Sequence, residues 1–243
     1  MIALTYYGHS CFSVKAGGKT LLFDPFISPN ELAKGIDVSK VRPDFILVSH
    51  GHEDHLADAA GIASRCGATV ISTYEVVVWL QGKGVQNAHP MNHGGGRAFD
   101  FGRVKLVSAV HSSSFPDGTY AGNPCGFVVD TADGAFYYSG DTALTMDMKL
   151  VGEMHRLDFA VLPIGDNFTM GASDAARAAQ WVGVNQAVGV HYDTFPPIRI
   201  NKDEALATFR SAGLKLLLPA IGETIQITAS AAIPPRASGS TRP

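Results

Sequence analysis

Apolar positions fall along this chain in short runs broken by glycines, histidines and polar loops. Ile2–Tyr7, Cys11–Val14 and Thr20–Phe23 are dense in β-branched and aromatic residues and are punctuated by Gly8, Gly17 and Gly18. That pattern predicts strands. Asp44–Ser49 (DFILVS) is a continuous apolar run ahead of a polar loop, as expected of a strand buried on both faces. Leu56 to Arg65 reads as a helix ending near Gly67, Ala68–Ser72 as a strand and Tyr74–Leu80 as a short helix. Residues 87–96 (NAHPMNHGGG) read as a loop. Strands follow at Arg103–Val110, Cys125–Thr131 and Ala135–Ser139, the last two flanking a hairpin signal at Ala132-Asp133-Gly134. Leu144–His155 reads as a helix, Phe159–Pro163 as a strand, and Ser173–Val182 as a helix with Ser173 as its N-cap. After the strand Ala187–Val190, Asn201 caps a helix to Ser211, with Glu204 placed as in a capping box. Leu214–Leu218 and Thr224–Ile227 close the series as strands.

The order is strands, then helix and strand in alternation, then a hairpin region, then alternation again. An α/β (α+β) layered fold with mixed sheets accounts for it better than a pure doubly wound sheet. No internal repeat and no linker interrupts the chain, so residues 1–228 read as one domain. From residue 229 the run SAAIPPRASGSTRP is small, proline-rich and aperiodic, and a flexible C-terminal tail is expected there.

Composition narrows the classes. The 243 residues are 46% hydrophobic and 17% charged, which favours a packed core over disorder. Nineteen basic residues against 22 acidic ones give a formal charge of −3, so the basic excess typical of phosphate-gripping proteins is lacking and no nucleic-acid partner is expected. No run approaches the roughly 18 apolar residues of a membrane span. The N-terminal MIALTYYGHSCF carries no signal-peptide pattern. Cys11, Cys66 and Cys125 are too few and too scattered for a disulfide framework, so reduced thiols and a cytoplasmic location are expected. Nine histidines stand out, and their positions matter more than their number.

His50, His52, Asp54 and His55 form His-x-His-x-Asp-His directly after the buried strand FILVS. A strand end fixes the backbone while the loop lets side chains converge. Four desolvated polar groups in one loop need partners, and a metal ion supplies them. A zincin motif is ruled out, because His52-Glu53 would require a histidine where Leu56 stands. Further metal-ligand residue types follow at strand exits: His111 after VKLVSAV, Asp141 after FYYSG and His191 after AVGV. Each alone is weak; together they put the right donor type at four strand ends.

This multi-part pattern resembles the metal-binding signature of the metallo-β-lactamase superfamily over nearly the whole chain to Ile227. TYYGHSCF, LLFDPF, PIGDNFTMG and GVHYDTFPPI look like its poorly characterised metal-dependent hydrolase branch, similar to the ascorbate-6-phosphate lactonase group and distant from antibiotic-degrading enzymes. The resemblance implies an αββα sandwich of two mixed sheets with a binuclear site at one edge. It implies His50, His52 and His111 on a first metal, Asp54, His55 and His191 on a second, and Asp141 bridging both. Relatives of this branch often assemble, so it also admits a homo-oligomer.

Two divalent ions about 3.5–4 Å apart share a bridging hydroxide and stabilise charge developing on a carbonyl or phosphoryl oxygen. The expected activity is therefore hydrolysis of a small ester, lactone or phosphodiester, with Asp54 both ligand and orienter of the hydroxide. Zinc suits histidine-rich ligation, and manganese or iron would accept the same donors. The superfamily's di-iron oxidoreductases carry Glu where His52 stands, together with a flavin domain, which argues for hydrolysis. The alternatives are a nuclease of the tRNA 3′-processing kind, a non-catalytic metal-binding protein, and a true β-lactamase. The first would carry an RNA-gripping arm, and no such insertion or basic cluster is evident; the second would be expected to have lost ligands; the third sits in a different branch and would carry an export signal.

Around the centre, His9 fits a substrate contact or proton donor at the mouth of the site, or a structural hydrogen bond. Asp24 either holds a ligand histidine by its second N–H or forms an Asp-Pro turn. Asp166 and Thr169 are expected to line the cleft, and Phe195, with Pro196 and Pro197, to wall an apolar pocket. His89, His93 and His155 are set aside, the last as a helix-terminal residue suited to the dipole. Ser49 and Ser139 read as backbone-fixing residues and Cys125 as core.

Overall fold

Two seven-stranded sheets face each other in the computed structural model, which describes residues 1–228. The tail expected from residue 229 lies outside those residues. The first sheet takes β1 (Ile2–Gly8), β2 (Cys11–Ala16), β3 (Lys19–Phe23), β4 (Phe45–Leu47), β5 (Thr69–Thr73) and β6 (Ala88–Met91) in sequence order. The second takes β7 (Gly96–Phe99), β8 (Gly102–Ser108), β9 (Cys125–Thr131), β10 (Gly134–Tyr138), β11 (Phe159–Pro163), β12 (Gln186–Val190) and β13 (Lys215–Leu217). The chain then crosses back, and β14 (Thr224–Ile227) pairs antiparallel with β1.

Side chains pointing inward from both sheets meet in one core. Phe23 of β3 lies 5.7 Å from Phe136 and 5.6 Å from Tyr138 of β10, ring to ring, and stacks on Phe12 of β2. On the outer face of the first sheet, α1 (Glu53–Leu56), α2 (Ala59–Cys66) and α3 (Tyr74–Gly82) bury Leu56, Ile62, Val76 and Leu80 against Leu22, Ile46 and Val70. On the outer face of the second, α4 (Asp147–Met154), α5 (Ala172–Trp181) and α6 (Lys202–Ser211) bury Val151, Ala175, Ala179 and Phe209 against Ala160, Leu162 and Ala187. Both outer faces being covered explains why β4, β11 and β12 read as unbroken apolar runs. The layers are helix, sheet, sheet, helix: the expected αββα sandwich. Among the described residues no helix is long and apolar enough to cross a membrane.

Strand directions put the ends of interest on one edge. β3 to β6 run parallel, and two antiparallel pairings make β1 parallel to β3. The exits of β1, β3 and β4 therefore lie on one side. In the second sheet β10 to β13 run parallel, and the antiparallel pairings of β9 make β8 parallel to β10. The exits of β8, β10 and β12 share an edge as well.

Three local readings need correction. Residues 87–96 are not simply a loop: β6 lies within them and β7 begins at Gly96. Among the described residues β6 is an edge strand paired with β5 alone, which is where Pro90 is tolerated. The helix expected from Leu56 to Arg65 is split into α1 and α2, and Asp58 between them accepts from the Ile27 and Ser28 amides at 2.7 and 2.8 Å. α5 starts after Gly171 rather than at Ser173, with no side-chain cap. The α6 cap is as expected: Asn201 Oδ1 accepts from the Asp203 and Glu204 amides, and its Nδ2 donates to Glu204 Oε1 at 2.9 Å.

Candidate metal centre

His50 is fully buried two residues beyond Val48, where the β4 run ends. The next residue has to be small: a Cβ on Gly51 would meet the Ala121 Cβ at 2.2 Å. His52 precedes α1, and α1 itself carries Asp54 and His55. His111 comes from the segment after β8, Asp141 from that after β10, and His191 directly follows β12. His9 occupies the tight turn between β1 and β2. His9 at φ 53°, His191 at φ 55° and Asp24, which directly follows β3, at φ 40° adopt left-handed backbones. Each costs of order 1 kcal/mol or more, and such conformations gather at functional sites. The His191 amide donates to the His9 carbonyl at 2.9 Å, so the two strained turns hold each other.

The expected ligands gather into two adjoining groups, and Asp24 with His50 and His55 forms a third beneath them. His50, His52 and His111 bring ring nitrogens within 4.8 Å of one another, and so do the side chains of His9, Asp54, His55 and His191. His50 Nε2 lies 2.9 Å from His52 Nδ1. Asp141 Oδ2 stands 2.9 Å from His191 Nε2, 3.2 Å from His55 Nε2 and 3.7 Å from His111 Nε2, touching both groups. Nitrogen ligands on one tetrahedral zinc stand about 3.3 Å apart, so these spacings suit donors around a cation.

The electrostatics ask for positive charge. Burial works to lower the His55 pKa, yet Asp141, Asp54 and Asp24 outweigh it and hold it well above the usual range. Burial works to raise the pKa of Asp54, but the charge on His55 and a hydrogen bond from His9 outweigh it and hold this carboxyl well down. Asp141 is likewise held well down, burial being overcome by His191 and His55. Burial lowers the pKa of His50, His52 and His111, keeping neutral imidazoles, the form that ligates metal. His55 Nε2 and Asp141 Oδ1 are buried without a hydrogen-bond partner among the described residues. A divalent cation is the group that fits such orphaned donors.

Of the two roles expected for His9, the structure shows the hydrogen-bonding one. Its side chain has no exposed area, so it does not stand at the mouth as a substrate contact. Burial, then His191, lowers its pKa to about 4, leaving a neutral ring. Nε2 lies 2.9 Å from Asp54 Oδ2 and Nδ1 lies 2.9 Å from Thr194 Oγ1. An ionised carboxylate only accepts, so Nε2–H donates to Asp54 and Nδ1 accepts from the Thr194 hydroxyl. His9 thus fixes Asp54. Thr194 escaped the sequence reading because only the fold brings it to His9.

The remaining expectations divide. Asp24 is fully buried with Oδ2 2.7 Å from His55 Nδ1. Phe195 is partly exposed, its ring 5.5 Å from His9 and 6.4 Å from Phe26, which makes an apolar wall beside the centre. Asp166 is exposed and lines a neighbouring groove of about 580 Å³ with Arg199 and Asn201, a groove whose lining includes none of the seven ligand-type residues. Thr169 is half-buried and bonds the Met170 carbonyl. His89 packs on Phe99 in the second sheet, and His93 Nε2 reaches the Pro124 carbonyl. Burial lowers the pKa of His155 at the α4 terminus, so it does not serve the dipole as a cation. Cys125 is buried core and donates to the Ser49 carbonyl.

Comparison with known proteins agrees with this geometry. A family profile described as beta-lactamase superfamily domain matches residues 3–191. A UPF0173 metal-dependent hydrolase of Methylacidiphilum infernorum is 48% identical over 220 residues, covering 90% of this chain and 97% of its own length. The UPF0173 metal-dependent hydrolase YtkL of Bacillus subtilis is 44% identical over 229 residues, covering 92% and 99%. Among solved structures, Igni18, a metallo hydrolase of Ignicoccus hospitalis, superposes with a TM-score of 0.83 at 35% identity, covering 92% of this chain and 97% of its own. The seven donor residues gathered at one sheet edge belong to a chain with relatives named for metal-dependent hydrolysis, and this chain is a metal-dependent hydrolase of the metallo-β-lactamase superfamily.

Proposed function

We propose that the chain holds two divalent cations and hydrolyses a small ester, lactone or phosphodiester. The observation that carries this reading is the position of Asp141 Oδ2, 2.9 to 3.7 Å from histidines of both groups. His50, His52 and His111 would hold one ion and Asp54, His55 and His191 the other, with Asp141 between them. Zinc is the expected metal, since the donors are imidazoles and carboxylates and no thiolate reaches the group; manganese or iron would accept them too. When bound, such ions supply a water activated near neutral pH and polarise the oxygen on which charge develops.

The chain's own groups do the rest. Asp54 is about a quarter exposed, enough to face the cleft, and is ionised at neutral pH, so it can orient a water and accept its proton. His9, with Thr194 behind it, holds that carboxylate in one orientation. His52 and His111 are the more open histidines, so substrate enters over them. Phe195 and Phe26 exclude water from the opposite wall.

Purified protein should contain two ions per chain and turn over at least one class in a panel of lactones, phosphodiesters, esters and thioesters. Asp141→Ala or His111→Ala should remove metal and lower turnover by about 10³-fold or more. Unchanged metal content and turnover in both variants would sink the assignment. Two tightly bound ions with no turnover anywhere in the panel would favour a non-catalytic metal-binding protein.

A further inference from the structure

Beneath the candidate centre lies a polar hub that the sequence reading saw only in part. Asp24 is wholly buried, and four donors converge on it. Its Oδ1 accepts from the Ser49 amide at 2.7 Å. Its Oδ2 accepts from the Ser49 hydroxyl at 2.6 Å, from the Tyr138 hydroxyl at 2.5 Å, and from His55 Nδ1 at 2.7 Å. Four donors and no competing acceptor suit an ionised carboxylate. Ser49 Oγ also lies 2.9 Å from His50 Nδ1. The hydroxyl has one proton, and its short contact to the carboxylate uses it. Towards His50 it can only accept, so His50 carries its proton on Nδ1. The same logic puts a proton on His55 Nδ1. In His50 the Nε2 lone pair then faces the centre; in His55 it does so once a cation replaces the second ring proton, which the surrounding carboxylates otherwise hold.

We propose that Asp24 is a positioning residue for both metal positions at once, directly through His55 and through the Ser49 hydroxyl for His50. This rests on the two-ion reading above. One carboxylate thereby sets the ring state of a histidine in each donor group, and Tyr138, held in the core between the sheets, anchors it from the opposite sheet. Partners of ligating histidines typically govern metal affinity by about 10–100-fold. A partner shared by two positions moves both together.

The test is titration of metal-free protein with Co²⁺, following visible absorption, alongside Zn²⁺ stoichiometry. In Asp24→Asn the carboxamide turns donors towards His55 and Ser49, and both ions should bind at least tenfold more weakly. Ser49→Ala should weaken one ion about tenfold, with a changed spectrum for that ion alone, and leave the other within about twofold. Tyr138→Phe keeps both proton assignments and should bind two ions within a few-fold of the parent. Near-UV circular dichroism checks folding. If Asp24→Asn fails to fold, Ser49→Ala decides: selective weakening of one ion supports the hub, and equal affinity for both overturns it. Two ions bound as tightly by Asp24→Asn as by the parent protein overturn the hub and leave the two-ion reading standing. A parent protein that binds fewer than two ions overturns the two-ion reading, and the hub with it.

Discussion

The two donor groups sit side by side yet are built differently. In the group of His50, His52 and His111, only His50 is fully buried; the other two reach solvent, and burial, helped by the neighbouring histidines, keeps the rings neutral. In the group of Asp54, His55 and His191 the histidines are buried, and Asp24, Asp54 and Asp141 surround His55. The first group can stand empty as neutral imidazoles facing water. The second is anionic and stays balanced only by a proton on His55 or by a cation. Depth in the fold thus separates an open, adaptable half from a closed half that demands charge.

Removing the balancing ring should hurt most. His55→Ala leaves three carboxylates without their shared partner, and the metal-free protein should lose about 3–5 kcal/mol in urea unfolding. His52→Ala, at the open half, should cost less than about 1 kcal/mol. Equal losses in the two variants would erase the distinction between the open and closed halves.

Acidity should act on the same contrast. His9 is pushed down to about 4, so its stabilising contribution is complete above the unfolded value near 6.5 and is lost as pH falls towards 4. His50, His52 and His111 are lowered too and act in the same sense. His55 is raised, so its contribution is complete below about 6.5 and is lost only as pH climbs through its raised value. Metal-free protein should therefore weaken on both sides of neutrality. His9→Gln should flatten the acid limb by up to about 3 kcal/mol. An acid limb that is the same in this variant removes His9 from the account.

The smallest effect belongs to the wall. Phe195→Ala should raise KM about two- to fivefold while metal content holds, because roughly 1 kcal/mol of apolar contact is lost. A larger fall in kcat than in affinity would place Phe195 in the chemistry instead.

The sequence made much of this visible, for physical reasons. Strands buried on both faces, such as β4 and β11, betray themselves by unbroken apolar runs. His50, His52, Asp54 and His55 were legible because few structural roles put four such groups beside a buried strand. β6 was not legible, since Ala88-His89-Pro90-Met91 has no strand-like pattern of its own and is recruited by pairing with β5. The place of His9 was hidden as well, because its partners Asp54 and Thr194 lie 45 and 185 residues away. Tyr138 looked like any aromatic in a strand until its hydroxyl met Asp24 across the two sheets.

The pairing of β1 with β14 bears on the order of events during synthesis. Ile2 lies opposite Ile227, so β1 acquires one of its neighbours only after β14, more than two hundred residues later, has left the ribosome. His9, at the far end of that first strand, must likewise wait for Thr194 and for the amide of His191. Pairing at such sequence separation is slow to form. A nascent chain lacking its final forty residues can hold His50, His52 and His55 on their loop, but the first sheet still wants its closing strand. Assembly of this hydrolase thus waits for β14, and products truncated before Thr224 should be inert rather than partly active.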